Sequence, residues 1–143
     1  RPKNHPAEAY QACWGFTTRV FATRLGVSVQ FLFNVIVVLH FVGLASLLGG
    51  FLVQMKSSDK GVNPAMLHGA LTQLVTGVIM VGLAESGAVD EAFDMAKIGV
   101  KLTITLIVTV LAFIGRKKQP PQIALWGTIG ALALINVVIA VFW

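Results

Sequence analysis

Apolar residues run almost unbroken through four stretches of this chain, about Val29 to Val53, Pro64 to Ala84, Ile98 to Gly115 and Ile123 to Trp143, with polar residues gathered between them. Each stretch is close to the ~20 residues that a helix needs to cross a bilayer. A backbone in hydrocarbon must satisfy its own hydrogen bonds, so apolar runs of this length predict helices. Short connections force successive helices to pack antiparallel. The expected fold is all-α: an integral membrane four-helix antiparallel bundle with spans at about 29–54, 64–84, 97–115 and 122–143, preceded by an N-terminal segment, 1–28.

The breaks between spans have their own logic. Asn63-Pro64 reads as a helix start, because asparagine caps and proline tolerates the first turn. Glu85, Ser86, Gly87, Asp90, Glu91 and Asp94 form an acidic, solvated connector, and Gln119, Pro120, Pro121 and Gln122 interrupt the chain before the last span. Within the N-terminal segment, Ala7 to Gly26 mixes Tyr10, Trp14, Phe16, Val20, Phe21 and Leu25 with Arg19 and Arg24. That mixture is expected of an interfacial amphipathic helix lying among lipid headgroups. The first 28 residues do not read as a signal peptide, since no positive-then-apolar run ends in a small-residue cleavage site.

Composition strengthens the membrane assignment. Of the 143 residues, 56% are hydrophobic and only 12% charged, with a mean hydropathy of +0.80. A chain this short has too little polar surface to wrap four such helices in water. Its one cysteine, Cys13, excludes an intrachain disulfide framework and a multi-cysteine metal site. The net charge of +5 sits beside the spans instead of on a soluble face, which points to anionic lipid headgroups and away from nucleic acid. Lys56, Lys60, Arg116, Lys117 and Lys118 crowd the two short loops, opposed only by Asp59. By the positive-inside rule that end is cytoplasmic and both termini are external, in a multi-pass protein of the plasma membrane.

Polar groups inside hydrocarbon are costly and therefore mark helix contacts or binding sites. On the first span His40, Gly43, Leu47, Gly50 and Gln54 share one face, flanked by Ser46 and Gly49. The second span carries His68, Gly69, Thr72, Gln73, Thr76 and Gly77, and the fourth Gly127, Gly130 and Asn136. Small residues of this kind let helix backbones approach closely. Gly43, Ser46, Gly50, Gly69, Gln73, Gly77, Gly127, Gly130 and Asn136 are therefore the expected helix-packing positions, Asn136 through an interhelical hydrogen bond. Trp126 and Trp143 read as interface anchors.

Two residues carry a second reading. His40 serves either packing or a cofactor, as a haem b ligand or a hydrogen-bond donor to a quinone or pigment. Lys101, a turn deeper than Lys97, either snorkels to the interface or binds a carboxylate or propionate. A single haem held by both His40 and His68 is excluded by depth: at 1.5 Å per residue they lie ~21 Å and ~6 Å from the short-loop end. His68 reads as interfacial. No paired intramembrane carboxylate, HExxH or phosphate loop is present, so neither an enzyme nor a metal site nor an autonomous pump is expected.

Leu39-His40 followed by Gly49-Gly50 resembles the first helix of the copper-resistance D and HemJ-type protoporphyrinogen oxidase families, which also place a lysine early in a later helix, as Lys97 or Lys101 is here. Gln54, Met55 and Lys56 stand where those families carry a further histidine or basic residue. Across the whole chain, the segments His68 to Gln73 and Lys97 to Lys101 resemble those of small four-helix actinobacterial membrane proteins. Some proteins of that type are accessory subunits of the respiratory cytochrome bc and cytochrome oxidase supercomplex. The resemblance implies a non-catalytic accessory subunit without a cofactor of its own, packed against other membrane subunits. The alternative is a haem- or quinone-binding protein working through His40.

Overall fold

The computed structural model describes residues 6–89 and 94–143, with side chains from residue 28 onward. It contains α1 (Pro6–Leu52), α2 (Pro64–Glu85), α3 (Met95–Gly115) and α4 (Ile123–Phe142). All four are long and apolar enough to cross a membrane, α1 through its Ser28–Leu52 part. The protein is thus an all-helical, multi-pass membrane protein. The interfacial disposition expected of Ala7 to Gly26 rests on side chains outside the described residues, and so does the part of the acidic connector that holds Asp90 and Glu91.

Local chemistry sets the helix ends. The Asn63 side chain accepts from the Met66 amide at 2.9 Å, and Pro64 fills the first turn of α2, where a missing N–H costs nothing. α2 ends at Glu85 with Ser86 as its cap, and the following Gly87, with a φ of 68°, takes the left-handed conformation glycine adopts without penalty. Asp94 is more than a connector residue: its carboxylate caps α3 by accepting from the amides of Ala96 and Lys97 at 2.9 and 3.3 Å. The two short loops lie side by side at one end, joined by a bond from the Gln122 amide to the Lys60 carbonyl at 2.6 Å.

Each helix touches two neighbours: α1 packs on α2, α2 on α3, α3 on α4, and α4 closes the ring on α1. The α1–α2 seam is the closest approach. A Cβ on Gly69 would strike the backbone of Leu47 and Gly43, and one on Gly43 would lie 2.9 Å from the Thr72 side chain. On the same face Gly50 leaves room for Asn63 and Met66, and the Ser46 hydroxyl donates to the Ala65 carbonyl at 2.9 Å.

The interior is polarised along the bundle axis. Leu47, Phe51, Met66, Ala70, Val108, Ala112, Trp126 and Ile129 form a dense core in the half nearest the short loops. Trp126 belongs to that core and is not an interface anchor: it is 8% exposed, and its indole stacks on Phe51 at 4.4 Å between centroids. Gly130 makes the space, since any Cβ there would enter the Phe51 ring. Trp143, by contrast, is exposed. Large apolar side chains elsewhere on all four helices, Phe41, Val75, Leu106 and Val138 among them, face outward, where only lipid makes them stable.

Candidate functional site

Toward the other end of the bundle the packing gives way to a cleft of about 380 Å³ lined by residues of all four helices. That volume lies within the range of small-molecule sites. His40 comes from α1, Gln73, Gly77, Met80 and Val81 from α2, Lys97, Lys101 and Thr105 from α3, and Asn136, Ala140 and Trp143 from the end of α4, with Asp94 at the rim. His40 lies twelve residues before Leu52, where α1 ends at the short loops, ~18 Å along the helix at 1.5 Å per residue, against a hydrocarbon thickness of ~30 Å. The cleft therefore runs from the interface to near the bilayer centre.

The orientation of His40 is fixed by α2. Its Nδ1 lies 2.8 Å from the Thr76 hydroxyl. That hydroxyl has one hydrogen, which it donates to the carbonyl of Thr72 one turn back. It can then only accept, so Nδ1 carries a proton, and whenever the ring is neutral its lone pair is on Nε2. Nε2 has no hydrogen-bond partner among the described residues, and protein atoms do not seal it off. Gln73 reinforces the arrangement by donating from Nε2 to the His40 carbonyl. Opposite Gly77 the imidazole edge has room, since even a Cβ there would lie 3.6 Å from Cε1.

The α3–α4 wall is built by the same device. Thr105 donates its hydroxyl hydrogen to the Lys101 carbonyl at 2.8 Å and accepts from Asn136 Nδ2 at 3.0 Å. Asn136 Oδ1 is left buried without a donor. Lys101 is half-buried and within electrostatic range of both His40 and Lys97. Lys97 reaches across to the last turn of α4, donating to the Ala140 carbonyl at 3.2 Å, where helix-end carbonyls favour a cation.

The structure thus brings His40 and Lys101, from helices that are not neighbours, to one cleft with Gln73, Gly77 and Asn136. His68 is not part of it. It is exposed and lies eight residues before Thr76, the partner of His40, a separation of ~12 Å along the helix. Gly43, Gly50, Gly69 and Gly130 lie at helix contacts, whereas a Cβ on Gly127 would meet nothing within 4 Å. Back-bonding by Thr76 and Thr105 is legible in the sequence, but their hold on His40 and Asn136 depends on neighbouring helices and is not. The signal is the residue type, since a threonine inside a helix can bond to the carbonyl four residues back. Among the described residues no group of three or more His, Cys, Asp or Glu is placed to hold a metal ion. Comparison with known proteins gives no match: no family model, no curated protein and no solved structure is significantly similar to this chain.

Proposed function

We propose that this protein is a non-catalytic membrane subunit that holds an amphipathic electron carrier of the quinone class, serving a larger electron-transfer assembly. The observation that carries the reading is the Thr76-held imidazole of His40 with Lys101 beside it in a cleft reaching near mid-membrane. Ionisable groups at such depth are expensive and persist where they bind something. Lys101 can donate to one oxygen of such a head and His40 can accept from a hydroxyl at the other, while Val81, Ile98, Leu102 and Trp143 offer apolar walls for its ring and the start of its tail.

A haem is the second cofactor that fits part of the site. A histidine whose Nδ1–H is held by a partner is the arrangement found at metal-ligating imidazoles, and Lys97 and Lys101 would pair with propionates. The group would supply one-electron chemistry when bound, with the chain's residues doing no more than holding and orienting it.

The proposed docking of this subunit draws on its outer surface. Gly49, Gly82, Gly99 and Gly127 are open positions where a Cβ meets nothing, so a partner helix can approach closely there. The sequence resemblance names cytochrome bc and cytochrome oxidase complexes as the class of partner. The basic short-loop end fits anionic lipid on the cytoplasmic face of the plasma membrane, which puts the cleft mouth on the outer side.

The test is purification from native membranes in mild detergent, followed by a visible spectrum and mass spectrometry of the solvent extract. Wild type should retain a stoichiometric quinone, and His40→Ala should lose it. A Soret band that vanishes in His40→Ala would transfer the assignment to haem. Wild-type protein free of both would end the cofactor reading.

A further inference from the structure

We infer that the cleft discriminates between redox states of its ligand, taking the hydroxyl-bearing hydroquinone form in preference to the oxidised quinone. The inference rests on the quinone-class reading above and specifies which form of that ligand the site is built for.

The argument is an inventory of donors and acceptors. Thr76 spends its hydrogen on the Thr72 carbonyl, so the neutral His40 ring must give its own proton to Thr76 and present a bare lone pair at Nε2. On the facing wall Thr105 spends its hydrogen on the Lys101 carbonyl, which fixes the Asn136 amide with its NH₂ toward Thr105 and its carbonyl oxygen unserved. Two independent threonines thus leave two acceptors in need of a donor. Lys101 lines the same cleft and brings an ammonium donor with no hydrogen-bond partner among the described residues.

A quinone carries only acceptor oxygens. One of them can accept from Lys101, but the other would face the lone pair of His40. A hydroquinone keeps the bond from Lys101 and adds an O–H that donates to Nε2. The difference is one buried hydrogen bond made in one form and replaced by lone-pair opposition in the other, for which about a tenfold difference in affinity is expected. The step is binding alone, so no electron or covalent transfer is assigned to this chain.

The probes are a decyl-tailed benzoquinol and the corresponding benzoquinone, titrated calorimetrically under anaerobic conditions into the full chain in lipid nanodiscs. Measurements are made at about pH 8, where an ordinary histidine, with a pKa of about 6.5, is neutral. Wild type should bind the quinol at least about tenfold more tightly than the quinone. Thr76→Val releases Nδ1 and lets the ring present an N–H to the ligand, so the ratio should fall toward one. Thr76→Ser should restore it, a rescue that a purely structural role for Thr76 would not require. Equal binding of both forms by wild type, or preference for the quinone, overturns the inference and leaves the cofactor reading standing. Failure of both forms to bind overturns the cofactor reading and the inference together. If Thr76→Val does not fold, the wild-type ratio and Thr76→Ser decide the matter.

Discussion

Gly69 on α2 faces the backbone of Leu47 on α1 so closely that no side chain fits between them. This contact sets the height at which the two helices cross, and with it the level at which His40 meets Thr76 two turns away. Lipid removes the hydrophobic gain from helix association, so the contact must be made by fit. The obstructing atoms are main chain, which cannot swing aside.

Gly69→Ala should accordingly be among the most damaging single-methyl changes in the bundle. Overpacking costs about 1–3 kcal/mol where neighbours can adjust and more where they cannot. A detergent unfolding titration should show a loss of at least that size, while Gly127→Ala, where a Cβ meets nothing, should stay within about 0.5 kcal/mol of wild type. Equal behaviour of the two would remove the basis for the tight α1–α2 seam.

Outward-facing Gly127 gives a separate handle on docking. Gly127→Leu should leave the fold and the melting temperature unchanged yet reduce co-purification with partner subunits, because only a neighbouring helix would feel the added bulk. Retention of every stoichiometric partner would place the docking surface elsewhere.

The spans could be read from the sequence because length and hydropathy suffice to define them, and Asn63-Pro64 announced a helix start with its capping chemistry in plain view. The neighbours of each helix were a different matter. In water a helix shows its inner face by contrast with a polar outer one. In lipid both faces are apolar, and Phe41 and Val75 point outward on the same helices that bury Leu47 and Ala70. His40 and Lys101 were therefore each visible as costly residues, but their meeting in one cleft depended on a helix order and level that periodicity does not carry. Trp126 shows the converse. A tryptophan at a span end fits the interfacial pattern, and only the pairing of Phe51 with Gly130 from distant parts of the chain creates the slot that draws it inward.

That slot makes the loop-end core the anchor of the bundle. Phe51→Ala should cost about 3–5 kcal/mol, as aromatic truncation in a packed core does. Lys60 lies over the Trp126 ring at 5.5 Å, and Lys60→Ala should cost no more than about 1 kcal/mol. Unfolding titrations of the two variants should rank them in that order. A mild Phe51→Ala phenotype would mean that the cleft end, not the loop end, holds the helices together.

The two lysines of the cleft should separate by role. Lys97 is engaged with the α4 terminus through Ala140, so Lys97→Met should loosen the last turn of α4, seen as faster amide exchange from residue 140 onward, at a cost of about 0.3–1 kcal/mol. Among the described residues Lys101 has no hydrogen-bonding partner for its ammonium, and it shares the cleft with His40. Lys101→Met removes an expensive half-buried charge and should leave stability unchanged or raise it, while weakening binding of the carrier about tenfold or more through loss of a charge-assisted hydrogen bond. Calorimetry and an unfolding titration on the same preparations measure both quantities. Loss of stability with undiminished binding in Lys101→Met would make that residue a structural element and leave His40 as the sole ionisable contact to the ligand.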